Sequence, residues 1–197
     1  MKKRIKRLFF GFLYVVLIFL PVFVFLTIEK TLWRDFWRDL SVLLGFVGLS
    51  LAGFQFIPTT RLPFISDIYD MDRVYKIHHI LSVLSILLVS AHLIVLLLIN
   101  PNTLLLLNPI TAPWRAQAGL IGLLCFIIVA ITSIFRKEIR LGYNQWHWVH
   151  TFLSILMVVF GLIHIFKVNY YTAVFAMRIS WIVEIVIWSA NILYLRV

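Results

Sequence analysis

Charged residues break the apolar run of this chain at intervals that match the thickness of a lipid bilayer. Stretches free of Asp, Glu, Lys and Arg cover Leu8–Thr27, Leu40–Thr60, Ile77–Trp114, Ala116–Phe135 and Leu141–Phe166, and a last apolar segment runs from about Val174 to Leu195. A helix that crosses hydrocarbon needs about 20 such residues. The third stretch exceeds one crossing, and Asn100, Pro101, Asn102, Asn108, Pro109 and Pro113 punctuate its second half as a loop. The pattern predicts six transmembrane helices at approximately 8–28, 39–57, 74–99, 117–135, 146–167 and 174–195. They form one all-α polytopic domain over residues 1–197, a helical bundle with no internal repeat or linker.

Composition agrees with this reading. Of 197 residues 62% are hydrophobic and 13% charged, with a mean hydropathy of +1.01, whereas a soluble domain carries about 25% charged residues. The net charge of +10 does not imply nucleic acid, because it follows membrane topology. Twelve Lys and Arg fall on one side of the predicted spans: Lys2, Lys3, Arg4, Lys6, Arg7, Arg61, Arg73, Lys76, Arg136, Lys137, Arg140 and Arg196. Six fall on the other: Lys30, Arg34, Arg38, Arg115, Lys167 and Arg178. The positive-inside rule then places both termini in the cytoplasm, with the chain in the plasma membrane. The first apolar run ends in FVFLTIEK without small residues at a cleavage site, so it reads as a retained span. The single Cys125 excludes an internal disulfide and any cysteine metal motif.

All six histidines lie in two spans: His78, His79 and His92 in the third, and His147, His150 and His164 in the fifth. Ionisable side chains at membrane depth are costly and face a bundle interior where they act. His78 and His92 are fourteen residues apart, as are His150 and His164. At about 3.6 residues per turn, each pair shares one helix face with a separation of about 21 Å. Facing helices with such pairs fit two haems, each iron taking one imidazole from each helix. Both spans run in the same direction, which pairs His78 with His150 at the inner face and His92 with His164 at the outer. His79 and His147, thirteen and seventeen residues from their partners, are angularly displaced. Zinc needs ligands clustered about one ion, which pairs this far apart do not provide.

At these residues the chain resembles the ferric reductase-like transmembrane domain shared by ferric reductases, NADPH oxidases and the haem subunit of bacterial methionine sulfoxide reductase. The carrying segments are RVYKIHHILSVLSILLVSAH, AGLIGLLCFIIVAITSIFRKEIRLGYNQWHWVH and GLIH, ending at His164. The resemblance extends from about residue 40 onward. Leu96 stands where NADPH oxidases often carry a further histidine, and His78 stands where the sulfoxide reductase subunit usually lacks one, so the likeness is greater to ferric reductases.

This resemblance implies a membrane oxidoreductase with two haem b, ligated by His78, His92, His150 and His164. Electrons would pass from a cytoplasmic flavin/NAD(P)H donor to an extracytoplasmic acceptor, whether an Fe(III) chelate, oxygen or a protein. Haem propionates need cations; Arg73, Lys76 and Arg136 are candidates at the inner face, and Arg115 and Lys167 at the outer, each equally explained as a snorkelling interfacial charge. No phosphate-binding glycine loop occurs, so FAD and NAD(P)H are expected on a further domain or a partner flavoprotein. The alternatives are a quinone-linked cytochrome b subunit and a transporter without haem. Trp114 and Trp146 fit either haem edges or an interfacial belt. Glu184 fits a proton relay, a donor site or a hydrogen-bonded core carboxyl, and Asn191 an interhelical hydrogen bond.

Overall fold

The computed structural model describes residues 2–29, 32–60 and 63–194, and among these the regular structure is helical without strands. Lys30, Arg61 and Arg196 of the charge count and the last residue of the sixth predicted span lie outside the described residues. The helices are α1 (Lys2–Ile18), α2 (Leu20–Thr27), α3 (Phe36–Phe54), α4 (Phe56–Thr59), α5 (Pro63–Ser66), α6 (Met71–Ile99), α7 (Trp114–Ile134), α8 (Tyr143–Val168) and α9 (Phe175–Tyr194). Five stretches are long and apolar enough to cross a membrane, with α3 and α4 counted together. The pair α1 and α2, bent by 52°, makes a sixth when counted as one span. The bend has a local cause: Pro21 in the first turn of α2 lacks the N–H that would continue the helix, and its ring crowds the carbonyl four residues back.

The chain forms two compact units. The first contains Met1–Val95 and Ala173–Val197. Its α3 starts at Asp35, whose carboxylate accepts from the backbone N–H of Arg38 at 3.0 Å, a standard N-cap. It stops at Phe54 because Pro58 has no N–H to give the Phe54 carbonyl; the hydroxyl of Tyr14 donates to that oxygen instead, at 3.2 Å. The N-terminal helix is also held by Arg7 Nε to the Ile68 carbonyl and by the Tyr69 hydroxyl to the Arg7 carbonyl, both 2.8 Å.

Small residues on α3 set how closely its neighbours approach. The Ser85 hydroxyl of α6 donates to the Gly48 carbonyl at 2.6 Å, and the Trp188 indole of α9 lies directly against Gly53. Trp181 and Trp188 are fully buried, meeting Phe46 and Phe54 edge to face at 5.3 and 5.8 Å. Between them Glu184, also fully buried, has both carboxyl oxygens within hydrogen-bond distance of the Ser50 hydroxyl, 2.8 and 3.1 Å. Asn191 departs from the sequence expectation: its amide donates to Ile187 of its own helix at 2.7 Å, and to no neighbouring helix among the described residues. Overpacking this seam has a measurable cost. Gly53→Val, forcing a branched side chain into Trp188, is expected to lower stability by about 1–3 kcal/mol. Gly11→Ala, where a β-carbon meets only the Tyr69 hydroxyl at 3.9 Å, is expected to be neutral or stabilising, and thermal unfolding in detergent compares the two.

The second unit is Leu96–Thr172, in which α7 and α8 form a helical hairpin. Gly122 brings the backbones together: a β-carbon there would lie 3.3 Å from the Met157 carbonyl and 3.4 Å from the Gly161 nitrogen. The connecting turn passes through Arg140 in the left-handed region, φ 54, and α8 ends on left-handed Asn169, a residue that tolerates this conformation. Before α7, a 3₁₀ turn (Pro101–Leu107) is opened by the Asn100 side chain, which accepts from the Asn102 N–H at 3.1 Å.

Candidate functional site

The six histidines fall on two helices in different units, so each set is described within its own. On α6, His78 and His92 are half-buried and His79 is exposed. His92 packs against α3 at Gly45, where a β-carbon would sit 3.2 Å from both Cγ and Nδ1 of the imidazole. One turn earlier on α3, Ser41 surrounds the same nitrogen. Nδ1 is 2.8 Å from the Ser41 carbonyl and 3.0 Å from its hydroxyl oxygen, while that hydroxyl donates its hydrogen to the His92 carbonyl at 2.8 Å. A carbonyl only accepts, and the serine has already spent its one hydrogen. His92 Nδ1 therefore carries the ring proton, and Nε2 carries the lone pair.

The second unit repeats this logic twice. His164 Nδ1 is 2.6 Å from the Arg115 carbonyl of α7, again an acceptor only, with Gly119 one turn later. A β-carbon at Gly119 would come within 2.8 Å of that nitrogen. His150 Nδ1 is 3.0 Å from the Ser133 hydroxyl, whose hydrogen goes to the Val129 carbonyl on its own helix at 2.7 Å. Three histidines thus share one tautomer, fixed by groups on a neighbouring helix. A metal-ligating histidine typically donates its other ring N–H to such an acceptor, which orients the ring and raises its basicity. The donor set fits axial ligation of a haem iron through Nε2. Among the described residues, no three His, Cys, Asp or Glu side chains converge.

Of the cations suggested by sequence, Arg73 and Lys76 lie exposed in the first two turns of α6. Arg115 contributes its carbonyl to His164, a role its side-chain charge does not announce. Arg136 places its guanidinium over the rings of Trp146 and Tyr143, 5.3 and 5.9 Å from their centroids. Trp146 in turn lies 5.1 Å from the His150 ring. Ser133, Arg136, Lys137, Glu138, Tyr143 and Trp146 line a cavity of about 550 Å³. The buried Trp146 indole nitrogen makes no hydrogen bond among the described residues. Trp114 meets Phe160 edge to face at 6.5 Å, and exposed His147 stacks on Tyr143 at 6.0 Å.

Ser41, Gly45 and Gly119 were not singled out by sequence, and Ser133 fell only within a segment that carries the family resemblance. A weak signal was present: the residue whose carbonyl accepts from the histidine is followed four positions later by glycine, Ser41 with Gly45 and Arg115 with Gly119. Apolar helices of this length define a class, the integral membrane proteins. A family match makes this specific: residues 44–161, more than half the chain, match the ferric reductase like transmembrane component. The chain belongs to that family of membrane oxidoreductase components. No curated protein and no solved structure matches it.

Proposed function

We propose that the chain is the membrane part of a ferric-reductase-like oxidoreductase, moving single electrons from a cytoplasmic flavin/NAD(P)H donor to an extracytoplasmic acceptor by way of two b-type haems. The observation that carries this reading is the contact that Nδ1 of His92, His150 and His164 each makes to an oxygen on a neighbouring helix, which suits Nε2 to ligate a metal. In this reading His78 and His150 ligate the inner iron, and His92 and His164 the outer. Haem, when bound, supplies a one-electron ferric/ferrous couple. The chain's own contribution is to aim the imidazoles of His92, His150 and His164 through their Nδ1 contacts, to present His78 from α6, and to exclude water with apolar helices.

Arg136 and the cavity beside it suit an anionic edge group such as a propionate, with Arg73 and Lys76 as further cations for the inner face and Arg115 for the outer. The twelve-to-six distribution of Lys and Arg supports cytoplasmic termini in the plasma membrane. Outward transfer of one electron through 100 mV, inside negative, is then downhill by about 2.3 kcal/mol. FAD and NAD(P)H belong to a further domain or a partner flavoprotein, and the acceptor is an Fe(III) chelate, oxygen or a protein. The test is an oxidised and dithionite-reduced spectrum of the purified chain, with pyridine haemochrome quantification. The expected result is a low-spin bis-imidazole spectrum and close to two haems per polypeptide. Colourless protein from cells supplied with haem overturns the reading, and reduction by quinol in place of reduced flavin marks a quinone-linked subunit.

A further inference from the structure

The acceptors behind the oriented histidines differ in kind. His164 and His92 give their ring protons to main-chain carbonyls, of Arg115 and Ser41 respectively. His150 gives its proton to a side chain, the Ser133 hydroxyl at 3.0 Å. That hydroxyl is not a free rotor. Its hydrogen is committed to the Val129 carbonyl at 2.7 Å, so a lone pair faces His150, and donation along this chain makes the oxygen a stronger acceptor. An imidazole whose Nδ1–H is drawn toward an acceptor is more electron-rich at Nε2. Such a ligand favours the more highly charged, ferric state of an iron bound there.

We propose that Ser133, acting through His150, sets the reduction potential of the iron His150 holds, keeping it lower than an unassisted imidazole would. The inference rests on the haem reading above. It makes Ser133 a positioning residue with an electronic effect, and gives the turn at the α7 terminus a part in the direction of electron flow. Thr132 supplies a built-in comparison. Its hydroxyl makes the same kind of bond to its own helix, 2.7 Å to the Ile128 carbonyl and 3.2 Å to that of Val129, without a histidine.

The experiment is an optical redox titration of the haem-loaded full chain for wild type, Ser133→Ala, Ser133→Thr and Thr132→Ala, each with its haem count. In Ser133→Ala, one couple is expected to move positive. At the wild-type midpoint its reduced-to-oxidised ratio should rise about tenfold, which for one electron is about 59 mV. The other couple should stay in place, Ser133→Thr should restore the shifted one, and Thr132→Ala should move neither. Two haems with both couples unmoved in Ser133→Ala overturn the proposal and leave the haem reading intact, as does an equal shift in Thr132→Ala. Wild-type protein without haem overturns both. Should Ser133→Ala shed its haem, Ser133→Cys, whose thiol is a weak acceptor, reads the same couple, and an unmoved midpoint there overturns the proposal.

Discussion

Replacing His92 by alanine is expected to leave one haem per polypeptide in place of the proposed two. The imidazole removed is the one whose Nδ1 is bracketed by both oxygens of Ser41 and whose ring rests on Gly45. Loss of a supporting contact to a ligand costs about 10–100-fold in metal affinity, and loss of the ligand itself costs more. The position at His78, fourteen residues away on the same helix, is untouched by the substitution, and its site should stay filled. His79→Ala and His147→Ala, at exposed positions, should keep both haems. Pyridine haemochrome per polypeptide distinguishes these outcomes, and added imidazole should refill the His92→Ala site. Two haems in His92→Ala would remove His92 from the ligand set.

Gly119→Val is expected to empty the site that includes His164 with no histidine altered. The smallest side chain would put a carbon 2.8 Å from Nδ1 and 3.2 Å from Cγ and Cε1 of His164, well inside contact distance. The ring must then swing off the Arg115 carbonyl, losing the 2.6 Å hydrogen bond that fixes its tautomer. Gly45→Val should act in the same sense at His92 but less severely, since its closest approach is 3.2 Å. Haem content read beside thermal unfolding separates ligand displacement from general damage: haem should fall by half while the apoprotein melts near the wild type. An unchanged haem content in Gly119→Val would show that the imidazole has other room.

The spans were legible because crossing lipid imposes a length and a polarity that no other constraint overrides, and each predicted segment corresponds to a helix or a bent helix pair. The bend at Phe19 was signalled by Pro21, and the early stop of α3 by Pro58, but counting apolar residues ignores backbone donors. The histidines stood out for the same energetic reason as the spans, since ionisable groups are rare at that depth. Their supports did not. A serine in an apolar helix most often bonds the carbonyl of the preceding turn, and Ser133 does that as well as serving His150. Periodicity gives each helix a face but not the register of its neighbour, so nothing in the order of residues ties position 41 to 92 or 115 to 164. Asn191 shows the reverse error, a polar residue credited with a partner across helices that it finds on its own.

The order in which these contacts are made along the chain bears on biosynthesis. Ser41 precedes His92, Arg115 precedes His164, and Ser133 precedes His150; translation runs from the N-terminus, and membrane helices associate after they insert. Every acceptor that orients a histidine has therefore left the ribosome before the histidine it orients. The α7–α8 hairpin closes between consecutive helices across a short turn, so two of the three imidazoles can be aimed as soon as that hairpin is in the bilayer. Any cofactor arriving after that point would meet rings already turned by the hairpin.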